Sequence, residues 1–481
     1  MRALAQFFCI GFCIGLGACS DDTPAEVQPW NVLLVTLDTT RADHLSCYGY
    51  DKQTTPNIDA QAKRGVRFER AISTAGLTPM AHASLLTGLN NYGHGMRVFY
   101  SEEVSHRMRD SAVTLPEVLQ ARGWRTGAMI ASYPVSGVYG FEQGFDTFGT
   151  RELALDELDF SKQHEHDFRW HQGTTTGTQR RADSVIDEAL EWLSAAAEPA
   201  PWFLWVHLFD VHDSSLVPSA DFVAELGIEY DESISPQDVG WRDRMYDPEL
   251  TFMDAQLGRL FDELEARGEL DNTLLVITAD HGQGLLDGMD RHGWSKHRLI
   301  YDWSIRVPLI VVLPGEEAHA GTSVAAQVRT IDVMPTVLQA IGLPLPEMEG
   351  ASLQSMIRGQ AESSPRIAYA DALSLRDTFA PRRGLPLNCR DNLFAVCDGR
   401  WKFIRHQFNP ENNELFDLDA DPLELTNVAA EHPDIIERLN EFLIENRALD
   451  LEAPEADSAA PNAGVLDGLG YADGEDEEEE R

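Results

Sequence analysis

A hydroxyl, a set of carboxylates and several imidazoles mark where this chain can do chemistry. Thr78 opens the run Thr78-Pro79-Met80-Ala81-His82-Ala83-Ser84-Leu85-Leu86-Thr87-Gly88. Threonine is a good helix N-cap and proline suits the first helical position. The alanines and leucines propagate a helix, and Gly88 ends it. A hydroxyl at a helix N-terminus sits among unpaired N–H groups at the positive end of the dipole, a place for an anion such as sulfate or phosphate. Asp38 follows the apolar run Asn31–Leu37, and Asp280-His281-Gly282 follows Thr273–Thr278. Both runs read as strands buried in a parallel sheet, whose ligand crevice lies outside the C-terminal strand ends. Carboxylates and an imidazole placed there are candidate ligands for a divalent cation. Such a cation would lower the pKa of the Thr78 hydroxyl and make it a nucleophile.

The elements that must hold these groups read as α/β. Gly65–Ala71, Trp124–Ile130, Trp202–Leu208 and Arg306–Val312 read as further strands, separated by helical stretches such as Thr114–Arg122 and Asp183–Leu193. His207 lies inside its strand and reads as a core histidine. His212 lies just beyond that strand's end, as a site residue does. His94 and Arg97 follow the Thr78 segment on a glycine-rich loop and are placed to reach an anion. Lys296 and His297 sit in the loop before Arg306. Residues from about 150 to 178 are polar and carry His164, His166 and His171, which suits a solvated loop. From about 365 the texture changes: 400–404 and 414–418 read as antiparallel strands, and Ile435, Ile436, Leu439, Phe442 and Leu443 stripe a closing helix. The expected architecture is a large, mostly parallel sheet sandwiched by helices (30–364), then a small C-terminal α+β subdomain (365–450).

The chain has 481 residues, with 38 Lys and Arg against 79 Asp and Glu, a formal charge of −41. That balance excludes nucleic acid as a partner, because a phosphate backbone requires Lys and Arg to displace its counterions. An anionic substrate would need a locally positive site. Arg2, the apolar stretch Leu4–Leu16 and the small residues Gly17-Ala18 read as a secretion signal. Leu16-Gly17-Ala18-Cys19 resembles a lipoprotein box, which implies lipidation of Cys19, a tether over 20–29, and a membrane-anchored protein of the bacterial cell envelope. Outside the cytoplasm Cys389 and Cys397 are spaced to close a short disulfide loop, with Cys47 left as a thiol. Residues 451–481 read as a disordered acidic tail.

Taken in order, the blocks resemble the sulfatase family of the alkaline-phosphatase-like superfamily. Ser84-Leu85-Leu86-Thr87-Gly88 matches the family's run after its reactive residue. Thr78 falls at the Cys or Ser position, His82 at the Arg position, and Met80 where a Pro is usual. Asp38 is followed by Thr39 instead of a second acid, and Asp280 by His281. The resemblance implies one divalent metal ion held by Asp38, Thr39, Thr78, Asp280 and His281. It places His94 and Arg97 against the substrate and His212 on the ester. It gives Lys296 or His297 the role of protonating the leaving oxygen. An imidazole where an amide oxygen is usual shifts the preference from calcium toward manganese or zinc. No formylglycine is expected, because oxidation of a secondary alcohol gives a ketone. The resemblance implies an exported hydrolase of sulfate esters or related phosphate and phosphonate esters, with a sulfated or phosphorylated glycan among its substrates. Two alternatives are a phosphoryl transferase acting on envelope glycans and a non-catalytic binder of sulfated glycans.

Overall fold

Seven consecutive residues, Asn31–Leu37, are buried, and every position of Trp202–Leu208 and Thr273–Thr278 is buried too. Strands with no solvent face must lie in the middle of a covered sheet. The computed structural model describes residues 27–99, 104–151, 153, 179–195, 200–212, 218–227, 239–362, 364–373 and 391–451. Outside the described residues fall Cys19 and its tether up to residue 26, His164, His166 and His171, Cys389 and the acidic tail from residue 452.

Among the described residues the large sheet contains β1 (Asn31–Leu37), β2 (Val66–Ile72), β3 (Arg125–Met129), β4 (Thr147–Gly149), β5 (Trp202–Leu208), β6 (Thr273–Thr278), β7 (Arg306–Val312), β8 (Thr322–Val324) and β9 (Val328–Arg329). Its order is β4-β3-β5-β1-β6-β7-β2-β8, with β9 also paired to β2. β7 pairs antiparallel with both β6 and β2, and the other pairings are parallel. The expected mostly parallel α/β sheet is therefore present. The three central strands β5, β1 and β6 are in close register: Thr36 faces His207 on one side and Thr278 on the other. Their C-terminal ends stop at one level.

A second sheet, β10 (Ala368–Ala372), β11 (Leu393–Cys397), β12 (Trp401–His406) and β13 (Glu414–Asp417), is antiparallel throughout. The helix Pro433–Glu445 buries Leu439 and Leu443 in a core with Phe394, Phe403 and Leu415. Cys397 is a buried thiol that donates to Gln327 Oε1 at 3.0 Å.

The two sheets are joined by buried charge. Lys402 of β12 is fully buried and reaches Asp302 Oδ1 at 3.0 Å and Glu424 Oε1 at 2.6 Å. Arg70 of β2 holds the other oxygen of Asp302 at 3.0 Å. These cations hold the Asp302 carboxyl below its usual range against the opposing effect of burial. Removing one partner of such a network leaves the others as uncompensated buried charge. Lys402→Met is expected to lower unfolding stability by about 3–5 kcal/mol, measured by urea denaturation. A loss under about 1 kcal/mol would mean that solvent screens the network.

Candidate active site

Asp38 and Asp280 both lie two residues beyond paired positions, Thr36 and Thr278, on the adjacent strands β1 and β6. Parallel register thus brings two carboxylates side by side in the interior. Ligating atoms of Asp38, Asp280 and His281 all lie within 4.8 Å of one another, and the three residues are buried. Asp280 Oδ1 accepts backbone N–H groups from Thr39 at 3.1 Å and His281 at 2.7 Å. Asp280 Oδ2 and Asp38 Oδ1 are buried without a hydrogen-bond partner. Burial, first, and then the neighbouring Asp280 push the Asp38 carboxyl well above its usual value, while a hydrogen bond with Thr78 pulls the other way.

The tautomers follow from the partners. Ala131 donates its backbone N–H to His207 Nδ1 at 3.2 Å, so the ring proton sits on Nε2 and is donated to Asp38 Oδ2 at 3.2 Å. His281 Nδ1 lies 3.0 Å from the Gly282 carbonyl, which can only accept. The proton is therefore on Nδ1, and the Nε2 lone pair faces Thr78 Oγ1 at 3.2 Å. Two orphaned carboxylate oxygens and one imidazole lone pair form a donor set that fits a divalent transition metal ion such as zinc or manganese.

Thr78 does not cap its helix. The helix Thr78–Thr87 starts at Thr78 itself; its N-cap is Leu77, with no side-chain cap bond, and Pro79 is the second helical residue. The hydroxyl is turned to Asp38 and His281 instead of to the helix N–H groups. All ten helical residues are buried, and Gly88 ends the helix in the left-handed conformation at φ 68°. His82 Nδ1 donates to the Thr78 carbonyl at 2.9 Å and lies 3.6 Å from Asp280 Oδ2. It braces the helical turn of Thr78 at the position where the family resemblance implies an arginine on the anion. Thr39 has φ 51°, its carbonyl accepts from Tyr246 Oη at 2.7 Å, and its buried hydroxyl has no partner.

A wall of imidazoles continues from His281. The His297 ring stacks on His281 at 5.0 Å and 8°, and His212 meets His297 edge-on at 4.9 Å. Phe209 backs His212 at 4.1 Å. Burial pushes the pKa of both His212 and His297 down, and the positive charge of Lys296 adds to this at each. Arg242 also acts on His212. Lys296 thus stands beside the same cluster, half-buried.

His94 and Arg97 do not join this group. Arg97 is buried and bonds Asp371 at 2.8 Å, Tyr369 Oη at 3.2 Å and the carbonyls of Ala448 and Asp450. His94 lies 2.9 Å from Ser84 Oγ and accepts the Met96 N–H, and burial pushes it down to about 3. His94 thus ties this loop to the Thr78 helix, and Arg97 ties it to the C-terminal segment, because a buried guanidinium must place its donors on nearby acceptors. Sequence reasoning missed the role of His207 against Asp38, the Tyr246 hydroxyl that holds Thr39, and Arg242. His207 carried a faint signal: it precedes a strand end by one residue. Tyr246 and Arg242 carried none, since nothing distinguishes them from other residues of a long helix.

Comparison with known proteins gives the family of this fold. The sulfatase family model matches residues 30–343, and a model for the C-terminal region of N-sulphoglucosamine sulphohydrolase matches 290–448. The chain is 22% identical to an N-acetylglucosamine-6-O-sulfatase of Bacteroides thetaiotaomicron, covering 86% of this chain and 85% of that protein. It is 26% identical to a choline-sulfatase of Rhizobium meliloti, covering 83% and 82%. Its fold superposes on the phosphonate monoester hydrolase of Agrobacterium radiobacter with a TM-score of 0.65 at 23% identity, covering 87% and 96%. The chain belongs to the sulfatase family, and with it to the sulfuric and phosphoric ester hydrolases.

An imidazole that orients a metal-binding carboxylate typically contributes 10- to 100-fold in metal affinity. His207→Phe is therefore expected to weaken manganese or zinc binding by about 10- to 100-fold, measured by titration calorimetry on chelator-treated protein. Because the Asp38 carboxyl is raised, metal must displace a proton from it. Affinity is then expected to rise with pH, with proton release visible as a dependence on buffer ionisation heat.

Proposed function

We propose that this protein is a metal-dependent hydrolase of sulfate esters or related phosphate and phosphonate esters, with Thr78 as its nucleophile. The observation that carries this reading is the Thr78 hydroxyl, buried and 3.2 Å from His281 Nε2, beside the orphaned oxygens of Asp38 and Asp280. Asp38, Asp280 and His281 would hold one divalent ion, which when bound would polarise the ester oxygen and lower the hydroxyl pKa. The hydroxyl proton passes to Asp38, with which the Thr78 hydroxyl is hydrogen-bonded, because the one lone pair of His281 would be committed to the ion. Thr78 Oγ1 forms a bond to sulfur or phosphorus, and the bond to the ester oxygen breaks. His297 gives the leaving oxygen its proton, because its ring stacks on His281, and His212 stands edge-on behind it. Burial keeps both imidazoles neutral in the free site; the bound anion supplies the negative charge that favours their protonated form. Water, deprotonated by the same imidazole, then breaks the Thr78 ester and restores the hydroxyl. Lys296 and Arg242 give the pocket local positive charge in a chain of net charge −41.

Substrate class is supported by relatives named for sugar sulfates, the N-acetylglucosamine-6-O-sulfatase above and an N-acetylgalactosamine-6-O-sulfatase of the same organism. A sulfated or phosphorylated glycan outside the cytoplasm fits a chain whose Cys19 we read as a lipid anchor on the cell envelope. Among the described residues no helix is long and apolar enough to cross a membrane, so lipidation would supply the attachment.

The test is hydrolysis of an aryl sulfate, an aryl phosphate diester and an aryl phosphonate with added manganese, zinc or calcium. Thr78→Ala is expected to lower kcat by about 10³-fold or more, and mass spectrometry of acid-quenched wild type is expected to find the adduct on Thr78. Turnover that survives Thr78→Ala would remove threonine from the mechanism.

A further inference from the structure

Arg298, next to His297, has a backbone φ of 93°. Side chains other than glycine avoid this left-handed region, and where they occupy it the surrounding structure must hold them there. The holding contacts are identifiable. The Arg298 N–H donates to the Gly76 carbonyl at 2.8 Å, and the two residues form an isolated antiparallel bridge. Gly76 lies two residues before Thr78. A Cβ on Gly76 would come within 2.5 Å of Ser304 Oγ, 2.9 Å of the Leu299 carbonyl and 3.0 Å of the Arg298 nitrogen, so the two backbones meet this closely because Gly76 has no side chain. On the other side, Trp294 Nε1 donates to the His297 carbonyl at 2.8 Å, and Leu285 N–H donates to Ser295 at 2.8 Å. Leu299 and Ile300 are buried in the core between the sheets, so the chain after Arg298 is fixed. Rotation of φ at Arg298 to an extended value would therefore move the chain before it and carry His297 off the face of His281.

We propose that Arg298 is a positioning residue that acts through its backbone. Its left-handed conformation, pinned to Gly76, sets the His297 ring at the correct place beside the nucleophile and couples the Thr78 loop to the loop that carries the acid. The proposal rests on the assignment of His297 as the group that protonates the leaving oxygen.

Its test is the dependence of turnover on the leaving group, which a general loss of stability would not change. An acid matters for an alkyl ester, whose alkoxide leaves poorly, and little for a nitrophenyl ester. Arg298→Gly and Arg298→Asn adopt the left-handed region readily and are expected to stay within a few-fold of wild type on both esters. Arg298→Val, whose β-branched side chain resists that region, is expected to lose about 10²-fold or more on the alkyl ester and only a few-fold on the nitrophenyl ester. Gly76→Ala, which forces the bridge open from the other side, is expected to give the same selective loss. If Arg298→Val does not fold, Arg298→Ala is read in its place. Equal losses in the glycine and valine variants would assign the effect to the guanidinium and overturn the proposal. Equal losses on the two esters would overturn it as well. His297→Ala separates the two layers. A selective loss in His297→Ala without one in Arg298→Val overturns the role of Arg298 alone. No selectivity in His297→Ala overturns the acid assignment and this proposal together.

Discussion

Two carboxylates side by side in a dry interior are the constraint around which this protein is built. Asp38 and Asp280 leave adjacent parallel strands at the same level, and burial and mutual repulsion make ionisation of both together costly. One remedy is a shared proton; the other is a cation. The two carboxyls are close enough to share a proton, and a cation held with His281 would take its place. Backbone N–H groups of Thr39 and His281 are spent on one oxygen of Asp280, and His207 is spent on one oxygen of Asp38. The remaining oxygens point to a common space with the His281 lone pair. Each surrounding group therefore orients a ligand instead of replacing one.

The same burial governs the imidazoles. His82, His207, His212 and His297 are all in the interior, and burial lowers the pKa of each. As neutral rings they can pack closely without charge repulsion. His207 and His281 have their tautomers set by backbone groups, one by an N–H donor and the other by a carbonyl acceptor. This is how a strongly acidic chain makes a site for an anion: the positive groups are few and placed near the crevice, while the bulk of the negative charge lies elsewhere.

The C-terminal sheet contributes to the site without supplying its ligands. Arg97 and Asp371 join the loop after the Thr78 helix to β10, and Lys402, Asp302 and Glu424 join β12 to the loop that precedes β7. The catalytic loops are thus held from both sides, by the large sheet at their roots and by the small sheet behind them. Fixed surroundings of this kind let a residue such as Arg298 keep an unfavourable backbone angle.

The strands and the candidate ligands at their ends were legible because their signals are local. A continuous apolar run names a buried strand, and in a parallel sheet Asp38, Asp280, His281 and His212, which follow such runs, must come to the crevice. Thr78 was legible as a candidate reactive position from the run Ser84–Gly88 that follows it. Its place in the helix was not: whether a threonine caps or occupies the first turn depends on the angle at which Leu77 enters, and tertiary contacts set that angle. His94 and Arg97 looked like anion ligands from their loop, but Arg97 is held by Asp371 and Tyr369, more than 270 residues away, and His94 by Ser84 of the Thr78 helix. His207 looked like core and is also a partner of Asp38, because the register of β5 against β1 brings them together. The sequence by itself determined which residue types stand at the strand ends. Only the tertiary structure decided which of them face one another, because register, entry angle and burial are set by distant parts of the chain.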